Sequence, residues 1–274
     1  MMKKLPVAYQ LYSARNEIAH DVKASLQQVK ELGFDGVEFA GFYGLSAAEM
    51  KAMVDGVGLI PISSHVPLQN ILADPEGVIA YHKELGCRYI AVPYLGEDDR
   101  PGAPGFAKVL ALMGQFGRQC RDAGLTLLYH NHDFEFLKVS GIYGLDFIYQ
   151  AIPADLLQTQ IDTCWVKYAG VDPLTYLASY KGRAPVVHLK DFVSDNSGRT
   201  PYALIGQDED KEIDRSGFSF RPFGHGSQDA EGLVKAAVDA GAEWLVIEQD
   251  EPHNESPFED ARQGLETLAR LGVR

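Results

Sequence analysis

Two hydrophobic rhythms alternate along this chain. Short apolar, β-rich runs recur, and each is followed by a stretch whose apolar residues return at three- and four-residue spacing. PVAYQLYS precedes DVKASLQQVKELG, and FDGVEFA precedes SAAEMKAMVDGVG. LIPISSHV is followed by PEGVIAYHKELG, and CRYIAVPYLG by the longer FAKVLALMGQFGRQCRDAG. LTLLYHNH leads to a helical stretch near GLDFIYQAI, and LLQTQIDTCW to DPLTYLASYKG. APVVHLKDF leads, across a long connection, to DAEGLVKAAVDAG, and AEWLVIEQD leads to PFEDARQGLETLARLG. Four junctions share one wording: KELGFDGVEF, KELGCRYIAV, RDAGLTLLYH and VDAGAEWLVI. In each, a helix stops at a glycine able to take positive φ and a strand begins. About eight strand–helix units of roughly 34 residues predict an α/β fold, a (β/α)8 TIM barrel, spanning residues 1–274 as a single domain. A doubly wound open sheet is the runner-up, but no GxGxxG or GxxxxGKS/T follows the first strand.

One connection breaks the rhythm. Residues 192–227 separate the seventh strand from its helix. Loops this long are uncommon unless functional or disordered. GQDEDKEIDR reads as a solvated stretch and RPFGHGSQD as a turn-rich one. A lid is the expectation, with a passive insertion as its alternative.

A barrel makes a test of the strand ends, because active sites of this architecture sit at the C-terminal face. The predicted ends carry Gln10 and Tyr12, Glu38, His65, Tyr94, His130 and His132, Asp162, His188 and Lys190, and Glu248. Side chains alternate faces along a strand, so His130 and His132 share a face and Asn131 points away. Asp162, His188 and Glu248 then reach the same space from later strands. Imidazoles together with carboxylates suit a divalent transition metal, whereas calcium wants oxygen alone. His65 reads as a substrate contact or a structural residue, and Glu38 as a substrate contact or a salt-bridged barrel residue. Tyr94 and Trp165 read equally as wall or as binding groups. Asp133 and Glu135 face solvent or cap the loop.

Charge narrows the partners. The chain carries 38 acidic against 25 basic residues, a formal net charge of −13. Nucleic-acid binding rests on Lys and Arg neutralising phosphates, and anionic membranes attract the same residues, so both are disfavoured. No run approaches the ~18–20 apolar residues of a membrane span. The opening MMKKLPVAYQLYSARNEI is basic but develops no apolar core before Arg15 and Glu17, so no signal peptide is read and a cytoplasmic protein is expected. Cys87, Cys120 and Cys164 are scattered and odd in number, and read as buried apolar residues rather than a disulfide framework.

At GFDGVEF, IDTCW, HLKD and VIEQ, taken in order, the chain resembles the xylose-isomerase-like superfamily of sugar isomerases and epimerases. The resemblance runs over essentially the whole length and implies one divalent metal held from the last four barrel strands. By position, Asp162, His188 and Glu248 match three of the ligands, and His130 stands where these relatives carry a glutamate. A symmetrical proton shuttle between two carboxylates therefore lacks one partner. Trp165 stands where sixth-strand relatives often carry a histidine. The YHNH and HLKD wording is closer to the inosose-dehydratase side, where a keto-polyol loses water, and relatives that cleave 3-keto-glycosides share it. Any homo-oligomer is implied by the resemblance alone.

The parts imply a chemistry. A divalent ion (Mn, Co, Fe, Zn or Mg) on a carbonyl and its neighbouring hydroxyl acidifies the α C–H, leading to an enediolate. His132 or Glu248 removes the proton, and His65 or Lys190 supplies one. The leading expectation is a metal-dependent sugar isomerase or epimerase acting on a sugar or keto-sugar. A keto-polyol dehydratase or 3-keto-glycoside lyase on the same site is the alternative. A non-catalytic sugar-binding barrel is the alternative of another class. A nuclease of the endonuclease IV kind would need a basic groove, which the charge opposes.

Overall fold

Eight of the apolar runs pair side by side and close on themselves. The computed structural model describes residues 3–195, 201, 204 and 213–274. The barrel strands are β1 Val7–Gln10, β2 Gly36–Ala40, β3 Ile60–His65, β4 Tyr89–Val92, β5 Thr126–His130, β6 Gln158–Asp162, β7 Val186–Leu189 and β8 Trp244–Ile247. All pairings within the barrel are parallel, and β8 returns to β1 with Val7 opposite Leu245. The longer helices, among them Val22–Leu32, Ala47–Val57, Pro75–Leu85, Phe106–Asp122, Ala230–Ala240 and Pro257–Arg270, follow the strands in alternation.

Local chemistry explains where these helices start and stop. Asp21, Ser46, Asp74 and Asp229 each accept a backbone N–H of the first turn, and Ser46 forms a reciprocal capping box with Glu49. The glycines of the repeated wording end the helices at positive φ, as at Gly33 (104°) and Gly241 (93°). Gly36 answers a different need: a Cβ there would lie 2.6 Å from the Ile60 carbonyl oxygen.

The barrel interior is layered. Ala8, Ile62, Tyr89, Ala91, Leu128, Val186 and Val246 form one buried apolar cluster. Two residues further along several of these strands the chain turns polar. A larger apolar layer, including Phe34, Val37, Phe39, Ile90, Leu127 and Leu245, packs the strands against the helices. Cys87, Cys120 and Cys164 are buried and free, as expected.

Two small hairpins were not legible in the pattern. Lys138–Val139 pairs with Ile142–Tyr143, and Asp191–Ser194 pairs with Phe218–Arg221. The first is too short to show a period, and its turn rests on positive φ at Ser140 and Gly141. The second joins segments more than twenty residues apart. It brings together the two ends of the expected lid, whose residues 196–200, 202, 203 and 205–212 lie outside the described residues. Among the described residues, no helix is long and apolar enough to cross a membrane.

One buried histidine belongs to the packing rather than to the barrel mouth. His82 Nδ1 donates to the Val78 carbonyl at 2.6 Å, so Nε2 accepts from the Ser64 hydroxyl at 2.9 Å. Burial pushes His82 down to about 4 from its usual 6.5. The unfolded chain therefore binds this proton at a higher pH than the native one. Its contribution is complete above pH 6.5 and is lost as pH falls towards 4, by about 3 kcal/mol. Urea unfolding at pH 7 and pH 4 should show this loss in the wild type. A His82→Gln variant should lose about 3 kcal/mol less over the same interval. Equal losses in both would remove His82 as a source of acid sensitivity.

Candidate metal centre at the barrel mouth

The two-residue period of the strands carries polarity upward through the barrel. On β7 and just beyond it stand Val186, His188 and Lys190. On β8 and beyond stand Val246, Glu248 and Asp250, and on β5 and beyond stand Leu128, His130 and His132. Asn131, between the two histidines, is turned away and joins β5 to β6. It accepts from the Asp162 backbone N–H at 2.9 Å and donates to the Asp162 carbonyl at 3.2 Å. Past the strand, Glu135 is fully buried and locks the turn. It accepts from the His132 backbone at 2.8 Å and from the Tyr129 hydroxyl at 2.6 Å. Burial pushes its carboxyl up to about 8. Of the two readings of Glu135, the loop cap is the one its burial supports.

Glu38 lies deep under this group. The register between β2 and β3 slips between Val37 and Glu38, which puts Ser63 opposite Glu38. Glu38 accepts from Gln10 Nε2 at 2.7 Å, from Gln160 Nε2 and from the Ser63 hydroxyl. His188 Nε2 lies 2.7 Å and His65 Nε2 3.2 Å from its Oε1. Burial alone would raise Glu38, but His65 and His188 hold it well below the usual carboxylate range.

Above Glu38, His188 turns its other nitrogen, Nδ1, to Glu248 Oε2 at 2.7 Å. Burial opposes a charged imidazole, yet Glu38 and Glu248 outweigh it and push His188 up to about 10. Lys190 is fully buried among acids, 3.1 Å from Asp162, 3.0 Å from Glu248 and 2.7 Å from Asp250. These partners overcome burial and hold it well above the usual lysine range. His130 Nε2 approaches Asp162 Oδ2 at 3.7 Å. Burial, reinforced by the neighbouring cations, holds His130 well below the usual histidine range.

Several of these groups open on a cavity at the barrel mouth. His65, His130, His132, Lys190, Glu248 and Asp250 form its polar lining, and Tyr12, Pro93, Tyr94 and Leu204 complete it. Leu204 comes from the 192–227 connection and is buried in a cluster with Tyr94, Trp165, Phe192, Phe218 and Phe220.

Two residues read either as substrate contacts or as parts of the barrel wall stand back from the cavity. Neither Glu38 nor Trp165 lines the cavity, and both are fully buried. Glu38 sits one layer too deep, behind His188. Trp165 stands behind His132, with ring centroids 5.7 Å apart, and stacks on Phe218 at 6.1 Å. The hairpin that supplies Phe218 encloses it. Asp250 was missed, although it follows Glu248 by two residues as His132 follows His130. Asp191 was missed as well. Its buried carboxylate accepts the backbone N–H groups of Phe192, Gly224, Gly226 and Gln228, tying the end of the long connection to β7.

The donor set fits a divalent ion. One ligand atom each from His130, Asp162, His188 and Glu248 lie within 4.8 Å of one another, and all four residues are buried. His65, His130 and His188 form an overlapping second group. His130 Nε2 stands 3.7 Å from Asp162 Oδ2, too far for a hydrogen bond and a separation that two ligands of one ion can share. With His188 Nδ1 turned to Glu248, Nε2 faces Glu38. A carboxylate behind a ligating imidazole is the usual second layer of such centres.

The sequence matches the family described as xylose isomerase-like TIM barrel over residues 26–271. The chain belongs to this family. Among curated relatives, the inosose dehydratase of Geobacillus kaustophilus is 22% identical over 192 residues, 62% of this chain and 62% of that protein. Against two clostridial inosose dehydratases the match spans about half of their length, 49% and 50%. Among solved structures, a sugar phosphate isomerase/epimerase from Parabacteroides distasonis superposes with a TM-score of 0.75. It is 20% identical, over 97% of this chain and 98% of that one. The IOLI protein with a bound zinc atom superposes with a TM-score of 0.69 at 12% identity, over 98% of each chain. At these identities the structural likeness establishes the xylose isomerase-like fold.

Proposed function

We propose that this chain is a divalent-metal-dependent enzyme that removes the proton α to the carbonyl of a sugar or keto-sugar. The observation that carries this reading is the buried His130–Asp162–His188–Glu248 cluster at a cavity that His65, His132, Lys190 and Asp250 also line. Those four side chains would hold Mn²⁺, Co²⁺, Fe²⁺, Zn²⁺ or Mg²⁺, and the zinc of the IOLI structure supports the choice of a divalent ion. When bound, the ion polarises a carbonyl and its neighbouring hydroxyl and so acidifies the adjacent C–H.

The remaining steps belong to the side chains. His132 lines the cavity, and burial with the nearby Lys190 charge holds it well below the usual range, so it presents a neutral imidazole. In this reading it accepts the α-proton. Trp165 keeps that ring in place by stacking. The Lys190 ammonium donates to the substrate oxygen, and His65, Tyr12 and Tyr94 orient the hydroxyls. Pro93 and Leu204 keep water from the apolar side.

Return of the proton to a neighbouring carbon gives isomerisation, and its return to the opposite face gives epimerisation. Loss of a β oxygen gives elimination. One observation favours elimination: β5 offers His130, so Glu248 has no second carboxylate there for a symmetrical exchange. Similarity to inosose dehydratases supports the same reading.

Metal analysis and proton exchange test the proposal together. Protein purified without chelator should hold about one divalent ion per chain. In D₂O it should place deuterium α to the carbonyl of a keto-sugar or cyclic keto-polyol, with ultraviolet absorbance of an unsaturated ketone if elimination follows. No ion retained after incubation with each metal would overturn the reading. An ion and a bound sugar without any exchange would make the barrel a binding protein.

A further inference from the structure

The candidate centre already holds a cation of the chain's own. Lys190 Nζ touches Asp162 Oδ2 and Glu248 Oε2, the two carboxylates of the four-donor cluster. Its shortest contact, 2.7 Å to Asp250 Oδ1, leads out of that cluster.

The two ends of this shortest contact differ in stiffness. Asp250 rides on a backbone tied down from several sides. The Gln249 N–H donates to Ser13 Oγ at 2.9 Å, and the Asp250 carbonyl accepts from Arg15 at 2.6 Å. The buried Asp260 carboxylate accepts from Gln249 Nε2 at 2.7 Å and from the His253 N–H at 2.6 Å. The ammonium, by contrast, ends a flexible four-carbon stem and is a compact point charge. It can shift among the three carboxylates without disturbing the pairing of β7.

A divalent ion on Asp162 and Glu248 meets this ammonium on the same carboxylates, in a site where burial leaves like charges poorly screened. The two cations exclude one another from the shared oxygens. We propose that Lys190 competes with the ion for the Asp162–Glu248 pair, and that Asp250 is the positioning residue that draws the ammonium aside and so sets the affinity of the centre. The inference rests on the metal reading above. It explains why a fixed third carboxylate stands beside a fully buried lysine. Without the ion, the ammonium compensates acids that would otherwise be buried unpaired. With the ion, Asp250 keeps the lysine charge satisfied.

The test is a binding cycle on full-length protein stripped with chelator and titrated with Mn²⁺, the free ion read by electron paramagnetic resonance. Zn²⁺ is titrated in parallel against a chromophoric chelator. Asp250→Asn should weaken binding about tenfold or more, Asp250→Glu should stay within about threefold of wild type, and Lys190→Met should tighten it. In the Lys190→Met background, Asp250→Asn should lose most of its effect, because no ammonium remains to be restrained.

Asp250→Asn without effect, or with the same effect in both backgrounds, would overturn the proposal, since Asp250 would then act as a ligand or by charge alone. Lys190→Met removes the ammonium that three buried acids share. If it does not fold, the comparison of Asp250→Asn with Asp250→Glu decides: equal weakening in both overturns the proposal, and rescue by Glu supports it. A wild type that binds neither ion sinks the metal reading itself. A wild type that binds while Asp250→Asn matches it sinks only this inference.

Discussion

Glu248→Ala is expected to lose the ion and, with it, exchange of the substrate α-proton. Metal content should fall to less than about a tenth of the wild-type value, and deuterium incorporation by about a thousandfold or more. Glu248 links the imidazole, the ammonium and the cavity. Its Oε2 lies 2.7 Å from His188 Nδ1 and 3.0 Å from Lys190 Nζ, and the residue lines the cavity. Truncation removes a donor and releases the imidazole it orients. The fold should survive better than the chemistry, because Lys190 keeps Asp162 and Asp250, and His188 keeps Glu38. Circular dichroism melts run beside the metal analysis separate the two effects. A folded variant that still holds its ion and still exchanges the proton would take Glu248 out of the mechanism.

Glu38→Ala should act the other way, mainly on stability. The carboxylate is fully buried and serves Gln10, Ser63 and Gln160 as acceptor, with two histidines beside it. Its removal takes one of two carboxylates from a buried cationic imidazole and leaves several donors without their acceptor. Breaking one side of a buried charge pair costs about 3–5 kcal/mol. For a chain of this size that corresponds to a fall in Tm of roughly 10 °C. Glu38→Gln keeps the shape but can no longer act as a charged acceptor for His188, so metal affinity should drop about 10–100-fold while the fold is better preserved. A melt of Glu38→Ala that matches the wild type would show that the barrel tolerates an empty floor. Unchanged metal affinity in Glu38→Gln would deny it a part in holding His188.

Much of this geometry follows from patterns that are local in sequence. His130 and His132 share a face because strand side chains alternate, and both line the cavity. Asp162, His188 and Glu248 converge with His130 because they end strands that neighbour one another in the closed sheet. The same period would have disclosed Asp250, two residues beyond Glu248, but the strand β8 stops at Ile247 and alternation is not guaranteed past a strand end. For Glu38 and Trp165 the choice between substrate contact and barrel wall stayed open for a different reason. Both sit among strand-end residues in sequence, yet depth in the barrel depends on how neighbouring strands are staggered. A one-residue slip beside Glu38 and a hairpin closing over Trp165 are decided by segments far away in the chain.

The sequence by itself determined the alternation of strands and helices, the barrel class and the residue types available at its mouth. Strand period, capping and glycine stops act over a few residues, so they can be read directly. Only the tertiary structure decided which of those residues meet. It set Glu38 behind His188, placed the Lys190 ammonium between Asp162, Glu248 and Asp250, and walled Trp165 off behind His132. These relations depend on barrel closure and inter-strand register, where distances of a few ångströms are fixed between residues tens of positions apart or more.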